Sequence, residues 1–289
     1  MITIFSPMRA FESDIADVQL NAINSWVNIK PSVEIILFED EKNTTAAACS
    51  HLNVSVIKDV DRSFSGVPLL NSMYEIVNQV SSNDVICYLT ADILLPKDFS
   101  TKINQFYNLG KSEFGKFVGI SCRHDLNNPE IKKGNLSVDD YYKLCYENSH
   151  NRGRSGIDLW VTNVNDKIVY PEFPIGRCIT DNWFVYYCVK NGYKVVDFSN
   201  EIKIIHQNHS KPSTTNKYFL IEKIYCHILF KNASYNAMDI YNSDFLYQNN
   251  SFSKPKGLRL IYYILCKTLI FRYLLKFRRI FYNKLYRIE

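Results

Sequence analysis

"DVICYLTADILLP" (residues 84–96) is the stretch on which the fold turns. Val85 to Leu89 form a short unbroken apolar run, the pattern of a strand buried on both faces. Asp92 then stands between Ala91 and Ile93, with Leu94, Leu95 and Pro96 close behind. A carboxylate in that company needs a partner, because burying an unpaired charge is costly. An acid at the carboxyl end of a buried strand is the arrangement by which open α/β sheets meet ligands.

Outward from this stretch the hydrophobic period alternates. "ITIF" (2–5), "VEIILF" (33–38) and "VSVI" (54–57) read as strands, while residues 14–28 and 67–80 carry apolar side chains at helical spacing, with a short helix possible at 42–51. Pro68 fits the first turn of its helix. A helix near 98–107 and a strand at 116–123 follow. A polar loop at 124–137 then leads to a helix over 138–147. "HNRGRSG" (150–156) reads as an exposed loop, 157–163 as a strand and "YPEFPIGR" (170–177) as an ordered turn. Residues 180–193 predict a helix with Thr180 as N-cap and Gly192 just past its end. Strands at 194–199 and 201–209 and a helix near 217–230 complete the body, and 242–255 reads as a linker. Strands alternating with helices predict an α/β fold, a mixed and mostly parallel sheet with helices on both faces.

Composition agrees with a packed globular chain. Of 289 residues, 46% are hydrophobic and 22% charged, enough for a sizeable core. The eight cysteines are scattered singly with no C-x-x-C pair, which predicts neither a disulfide framework nor a zinc site and suggests a reducing compartment. "MITIFSPMRAF" has no basic region leading into a long apolar run, so no signal peptide is expected, and no uninterrupted apolar stretch of about 18 residues predicts a transmembrane helix. G-x-G-x-x-G after the first strand, G-x-x-x-x-G-K-[ST] and G-x-S-x-G are all missing, which disfavours a dinucleotide fold, a P-loop and a serine hydrolase. "SPMRAF" (6–11) contains no glycine, against a nucleotidyltransferase loop.

The residues of chemical interest fall at strand ends. They are Ser6, Pro7 and Arg9 after the first strand, Glu39 and Asp40 after the second, Asp59, Asp61 and Arg62 after the third, Thr90 and Asp92 after the fourth, and Arg123, His124 and Asp125 after the fifth. This order, with an apolar fourth strand ending in an acid, resembles the GT-A fold of nucleotide-sugar glycosyltransferases. "IGRCITDNWFVYYCVKNGYKVVD" (175–197) and "IIHQNH" (204–209) are similar to the second half of some bacterial and plant members, so the likeness covers roughly residues 1–215.

The resemblance implies a D-x-D motif holding a divalent metal on the donor diphosphate. Here the matching positions are Thr90, Ala91 and Asp92, with threonine in place of the first acid. It implies Asp92 and a late histidine, preferably His206 rather than His209, as ligands of Mn²⁺ or Mg²⁺. It also implies Asp181 as general base toward the acceptor. Ser6, Pro7, Arg9, Asp40, Asn71, Thr90, Arg123 and Arg177 are expected on the donor side, and Asp158 and Trp160 on the acceptor side. Each has a plainer alternative: a turn or cap aspartate at Asp92, a helix cap at Asp181, loop histidines, core edge at Asp158 and Trp160, and solvated surface at Arg177.

The charge of +5 is uneven. Residues 256–289 hold nine Lys and Arg against Glu289 alone, a segment of +8 that leaves −3 for the rest. Aromatic, apolar and basic together, this tail reads as an amphipathic helix lying on an anionic membrane surface, with a helix packed on the body or on a second subunit as the alternative. Nucleic acid is disfavoured by the acidic body. The expectation is therefore a GT-A-like catalytic domain at 1–230, a linker at 231–255 and a membrane-associating tail at 256–289. The implied activity is inverting sugar transfer to a glycan or lipid-linked acceptor in bacterial surface polysaccharide synthesis. The implied place is the cytoplasm, at the inner face of the membrane. A catalytically silent GT-A-like glycan-binding or scaffold protein is the rival, sustained by Thr90.

Overall fold

The computed structural model describes residues 1–128, 130–153, 156–177, 180–209, 217–232 and 238–267. Strands and helices alternate through the first half: β1 (Ile2–Pro7), α1 (Ser13–Val27), β2 (Glu34–Phe38), the short α2 (Thr45–Ala48), β3 (Ser55–Ile57), α3 (Leu70–Val80) and β4 (Val85–Leu89). The two-residue β5 (Ile93–Leu94) precedes α4 (Phe99–Phe114), β6 (Phe117–Leu126), α5 (Val138–Glu147), β7 (Ser149–Asn151) and β8 (Ile157–Asn163). Next come α6 (Thr180–Lys190), β9 (Lys194–Asp197), β10 (Ile204–His206) and α7 (Lys217–Asn232). A 3-10 turn (Ile240–Asn242), β11 (Phe245–Gln248), β12 (Ser251–Ser253) and α8 (Gly257–Lys267) close the described chain.

The main sheet has the order β12-β11-β9-β6-β8-β4-β1-β2-β3. β3, β2, β1 and β4 are mutually parallel, as are β6, β9 and β11. β8 lies between the two sets and runs against both neighbours. Its register, Leu89↔Leu159 with β4 and Cys122↔Ile157 with β6, brings its amino end to the carboxyl ends of those strands. Asp158 therefore arrives on the same edge as Asp92. β6 runs on past this edge and pairs with β10 through Arg123↔Ile204 to Asp125↔His206. β10 in turn pairs antiparallel with β5 through His206↔Ile93.

Two cores sandwich the sheet, which is why its strands are apolar throughout. Alternation along β4 sends Val85, Cys87 and Leu89 to one core with Trp26 of α1 and Phe99, Ile103 and Phe106 of α4. Ile86 and Tyr88 go to the other core, with Met73, Tyr74 and Val77 of α3 and Trp183, Phe184 and Val185 of α6. Each such side chain contributes about 1.5–3 kcal/mol on full burial. Gly119 lets α4 press close to β6: a Cβ there would lie 2.6 Å from Phe106 and 2.9 Å from Phe198.

The α/β architecture with helices on both faces matches the sequence expectation, and several boundaries move. α4 continues past 107 to Phe114, because Gly110 seats the Phe117 ring where another residue's Cβ would stand. Thr180 is the first residue of α6 rather than a residue before it, and Gly192 lies beyond its end at φ 78°. The stretch at 242–255 is not a linker: β11 pairs in parallel with β9, and Phe252 of β12 packs against Phe106 and Phe114, so these residues extend the sheet and one core. Cys226 is disulfide-bonded, a correction to the scattered-thiol expectation, since distance along the chain says nothing of proximity in space. Cys49, Cys87, Cys122, Cys145 and Cys188 are free and buried. Among the described residues no helix is long and apolar enough to cross a membrane. Of the tail, residues 268–289 lie outside the described residues.

Candidate active site

Asp92 follows β4 in a tight turn that leads directly into β5. Pairing of β5 with β10 sets Ile93 opposite His206, and the backbone N–H of Gln207 donates to the Asp92 carbonyl at 3.0 Å. The ladder thus fixes the histidine segment against the aspartate. Asp92 Oδ2 lies 3.3 Å from His206 Nε2 and 3.0 Å from His209 Nε2, while the Thr90 hydroxyl donates to Oδ1 at 2.6 Å. Burial by itself would raise the Asp92 carboxyl. The bonds from His206, His209 and Thr90 override it and hold the group well below the usual carboxylate range. Gln207 is 1% exposed; its amide donates to the Val18 carbonyl at 2.9 Å and its side-chain oxygen accepts from Tyr141 at 3.3 Å. That anchoring holds the turn between the two histidines.

A charged chain continues from this cluster. Arg123 donates from Nη1 to Asp158 Oδ2 and from Nε to Asp125 Oδ1, each at 2.8 Å. Arg152 pairs with the other oxygen of Asp125, and His206 Nδ1 lies 3.8 Å from Asp125 Oδ1. Gly156, at φ 82°, gives this cluster room: a Cβ there would approach Arg152 Cδ to 2.9 Å and Arg123 Nε to 3.3 Å. Asp158 is raised by burial and by the Asp92 charge, against the lowering pull of Arg123.

Asp181 sits in the first turn of α6, a half-buried position. Burial and the neighbouring Asp158 charge push its carboxyl up to about 6, against the backbone N–H groups of Asn182 and Ile157. Asp158, Asp92 and Asp181 all act on the Tyr88 hydroxyl, which gathers the three acids around the end of β4. A carboxylate poised near neutrality can accept a proton from a bound hydroxyl group.

The remaining sequence candidates divide. Thr90, Asp92, Arg123, Asp158 and His206 are joined by the contacts above, with Asp181 beside them. His209, the less favoured histidine, is as near to Asp92 as His206. Ser6 is fully buried in β1, and the Pro7 side chain is buried at its end. Asp40 is 1% exposed; its carboxylate accepts from Lys42, Thr44 and Thr45 and is lowered to about 2, burial being outweighed by the Thr45 and Thr44 hydroxyls. It ties down the turn into α2 and offers no free oxygen to a nucleotide. Trp160 is 1% exposed and stacks on Phe184 at 4.5 Å, a core residue rather than an acceptor contact. Arg177 donates to Glu222 of α7 at 2.9 Å and lies over the Phe219 ring, so its charge is answered inside the protein. The Arg9 backbone is clasped by the Gln19 amide, and the Asn71 side-chain oxygen is buried without a hydrogen-bond partner among the described residues. Asp125 is among the strand-end residues of interest in the sequence but is given no role there, and Arg152 and Gln207 are not named at all. Their sequence signal was proximity to Arg123 and His206, which means little until β10 is paired with β6.

Asp92, His206 and His209 offer one ligand atom each, all within 4.8 Å of one another. Ligand distances near 2.1 Å at right angles put adjacent donor atoms about 3 Å apart, close to the 3.0 and 3.3 Å found from Asp92 Oδ2 to the two imidazoles. One carboxylate with two imidazoles is a donor set that fits a divalent transition ion.

No family model and no curated protein matches the chain. Solved structures do. Residues 1–349 of S. aureus TarS in complex with UDP-GlcNAc align at 12% identity and TM-score 0.49, covering 80% of this chain and 66% of that one. The mannosyltransferase PcManGT from Pyrobaculum calidifontis, in complex with GDP-Man and Mn²⁺, aligns at 12% identity and TM-score 0.44, covering 81% and 64%. A putative glucose-1-phosphate thymidylyltransferase from Bacillus anthracis aligns at 10% identity and TM-score 0.39, covering 78% and 95%. The chain thus spans just under two thirds of the length of the first two. These are likenesses of fold alone. By the order and pairing of its strands the chain is a mixed α/β protein, with acids and histidines gathered at the carboxyl edge of its sheet.

Proposed function

We propose that this protein is a glycosyltransferase that moves a sugar from a nucleotide-sugar donor to a glycan acceptor. The observation that carries the proposal is the convergence of Asp92, His206 and His209 at the carboxyl edge of the sheet, beside Asp158 and Asp181. A divalent ion held by these three residues would neutralise the diphosphate as the glycosidic bond breaks. The two imidazoles favour Mn²⁺ over Mg²⁺, which prefers oxygen ligands.

The chain's own residues then have distinct tasks. Thr90 occupies Asp92 Oδ1 and leaves Oδ2 toward the imidazoles. Asp181, charged above pH of about 6, takes the proton of the acceptor hydroxyl as its oxygen attacks the anomeric carbon. A single in-line displacement of this kind inverts that carbon. Arg123 and Arg152 set positive charge beside the acids, where a diphosphate would otherwise meet only repulsion. Arg9 and Asn71 are the remaining donor-side candidates. The basic segment 256–289 supports an anionic membrane surface as a partner. It also supports a lipid-linked acceptor at the inner, cytoplasmic face, as surface polysaccharide assembly in bacteria requires.

The test is donor turnover. A panel of nucleotide sugars, with and without Mn²⁺, is screened for a rise in melting temperature and for slow release of free nucleotide. Asp181→Asn should keep the melting shift and lose the release. If no donor in a broad panel shifts the melting temperature under either condition, the transferase proposal fails.

A further inference from the structure

α8 is amphipathic in the opposite sense to a helix lying on a protein in water. Its polar side chains face inward. Arg259 Nη2 donates to the Ile240 carbonyl at 2.6 Å, to Ser243 Oγ at 2.7 Å and to Asp197 Oδ2 at 2.8 Å. The Tyr262 hydroxyl donates to Asp239 at 3.2 Å and the Tyr263 hydroxyl to Asp244 at 2.7 Å. At about 100° per residue these three side chains span one arc of the helix. The far side carries Leu258, Ile261 and Ile264, which are 85%, 54% and 53% exposed. α7 repeats the arrangement. Glu222 and Cys226 are buried against the body, while Leu220, Ile221, Ile224 and Ile228 are each at least half exposed. Two helices with their polar anchors used up and their aliphatic faces outward do not suit bulk water.

We propose that α8 is a fixed membrane plate, docked on the catalytic body through Arg259, Tyr262 and Tyr263 and inserting Leu258, Ile261 and Ile264 into an anionic bilayer surface. The choice of occupant follows from charge. In the sequence, residues 256–289 carry nine basic residues and one acid, and the exposed Lys223 adds a cation on α7, a charge excess that favours a negative surface. Among the described residues no helix is long and apolar enough to cross a membrane, and the one-sided aliphatic face of α8 suits the plane of an interface. The proposal rests on the membrane contact suggested above and sharpens it. Arg259 is a bracket to the protein rather than a cation reaching for headgroups, so the membrane holds the whole body in one orientation instead of tethering it by a loose tail.

The test uses the full chain and flotation with vesicles of phosphatidylcholine, with and without phosphatidylglycerol. Wild type should float with the phosphatidylglycerol vesicles and remain partly bound at raised salt. The exposed double variant Leu258→Asp with Ile261→Asp should keep its melting temperature and its donor hydrolysis in solution, yet partition at least about tenfold less. If that variant floats as well as wild type, the plate is refuted while the membrane contact stands. If wild type never floats, both fall, and donor hydrolysis still judges the transferase on its own. If instead wild type sediments as a dimer and the variant as a monomer, the face belongs to a second copy and the proposal is overturned.

Discussion

A carboxyl pushed up to about 6 makes Asp181 the group whose titration would govern the proposed sugar transfer most directly. As a general base it works only when ionised. Below pH 6 the rate should therefore fall about tenfold per unit, and above pH 7, where about nine tenths of the base is ionised, it should level off. Nucleotide release in single-turnover experiments between pH 4.5 and 8 reads this limb directly. Metal affinity at protein ligands is itself pH-dependent, so the profile is taken at saturating Mn²⁺. Asp181→Asn should lower the rate by about 10²–10⁴-fold and leave it flat with pH. Asp158→Asn removes the like charge that helps to raise Asp181, so the limb should move to lower pH. A limb that persists unchanged in Asp181→Asn would assign the titration elsewhere and refute the assignment of the base.

Other perturbations follow from the same geometry. His209→Ala removes one of the three convergent ligand atoms and should weaken Mn²⁺ binding by at least about tenfold, read by titration calorimetry without any substrate. Trp160→Ala empties a fully buried aromatic site stacked on Phe184 and should cost about 3–5 kcal/mol in urea unfolding, far more than an acceptor contact at the surface would. Arg259→Ala leaves Asp197, 7% exposed at its side chain, without its cation and should lower stability by about 3–5 kcal/mol.

The strands and helices around the site were legible because each obeys one period: the unbroken run of β4, the helical spacing of α1 and α3, the apolar "IDLWVTN" of β8. Asp92 stood out for the same reason, as a charge amid apolar neighbours. The pieces that complete the site were hidden because they are short or depend on distant partners. β5 has two residues, too few for any period to show, and β10, which falls inside the strand expected at 201–209, sets His206 beside Asp92 only through its pairing with β5, a distant partner. Asp40 and Trp160 illustrate the converse failure. Asp40 lies just past the end of β2, but its carboxylate closes the turn into α2; Trp160 sits in the middle of β8 and its ring turns into the core; neither choice is written in local spacing. β11 escaped notice because it lies in an ordinary polar-looking segment and enters the sheet only by pairing with the distant β9.

The pairing of β5 with β10 also bears on how the molecule assembles. Asp92 and His209 are 117 positions apart, so their meeting closes a loop containing α4, β6, β8, α6 and β9. A contact of such long range is formed late, after the intervening elements have collapsed. If the histidine–aspartate cluster is absent from the folding transition state, whatever strengthens it acts on the return path alone. Mn²⁺ bound there should slow unfolding and leave the refolding rate unchanged, so the ion would act as a kinetic latch on a sheet already built.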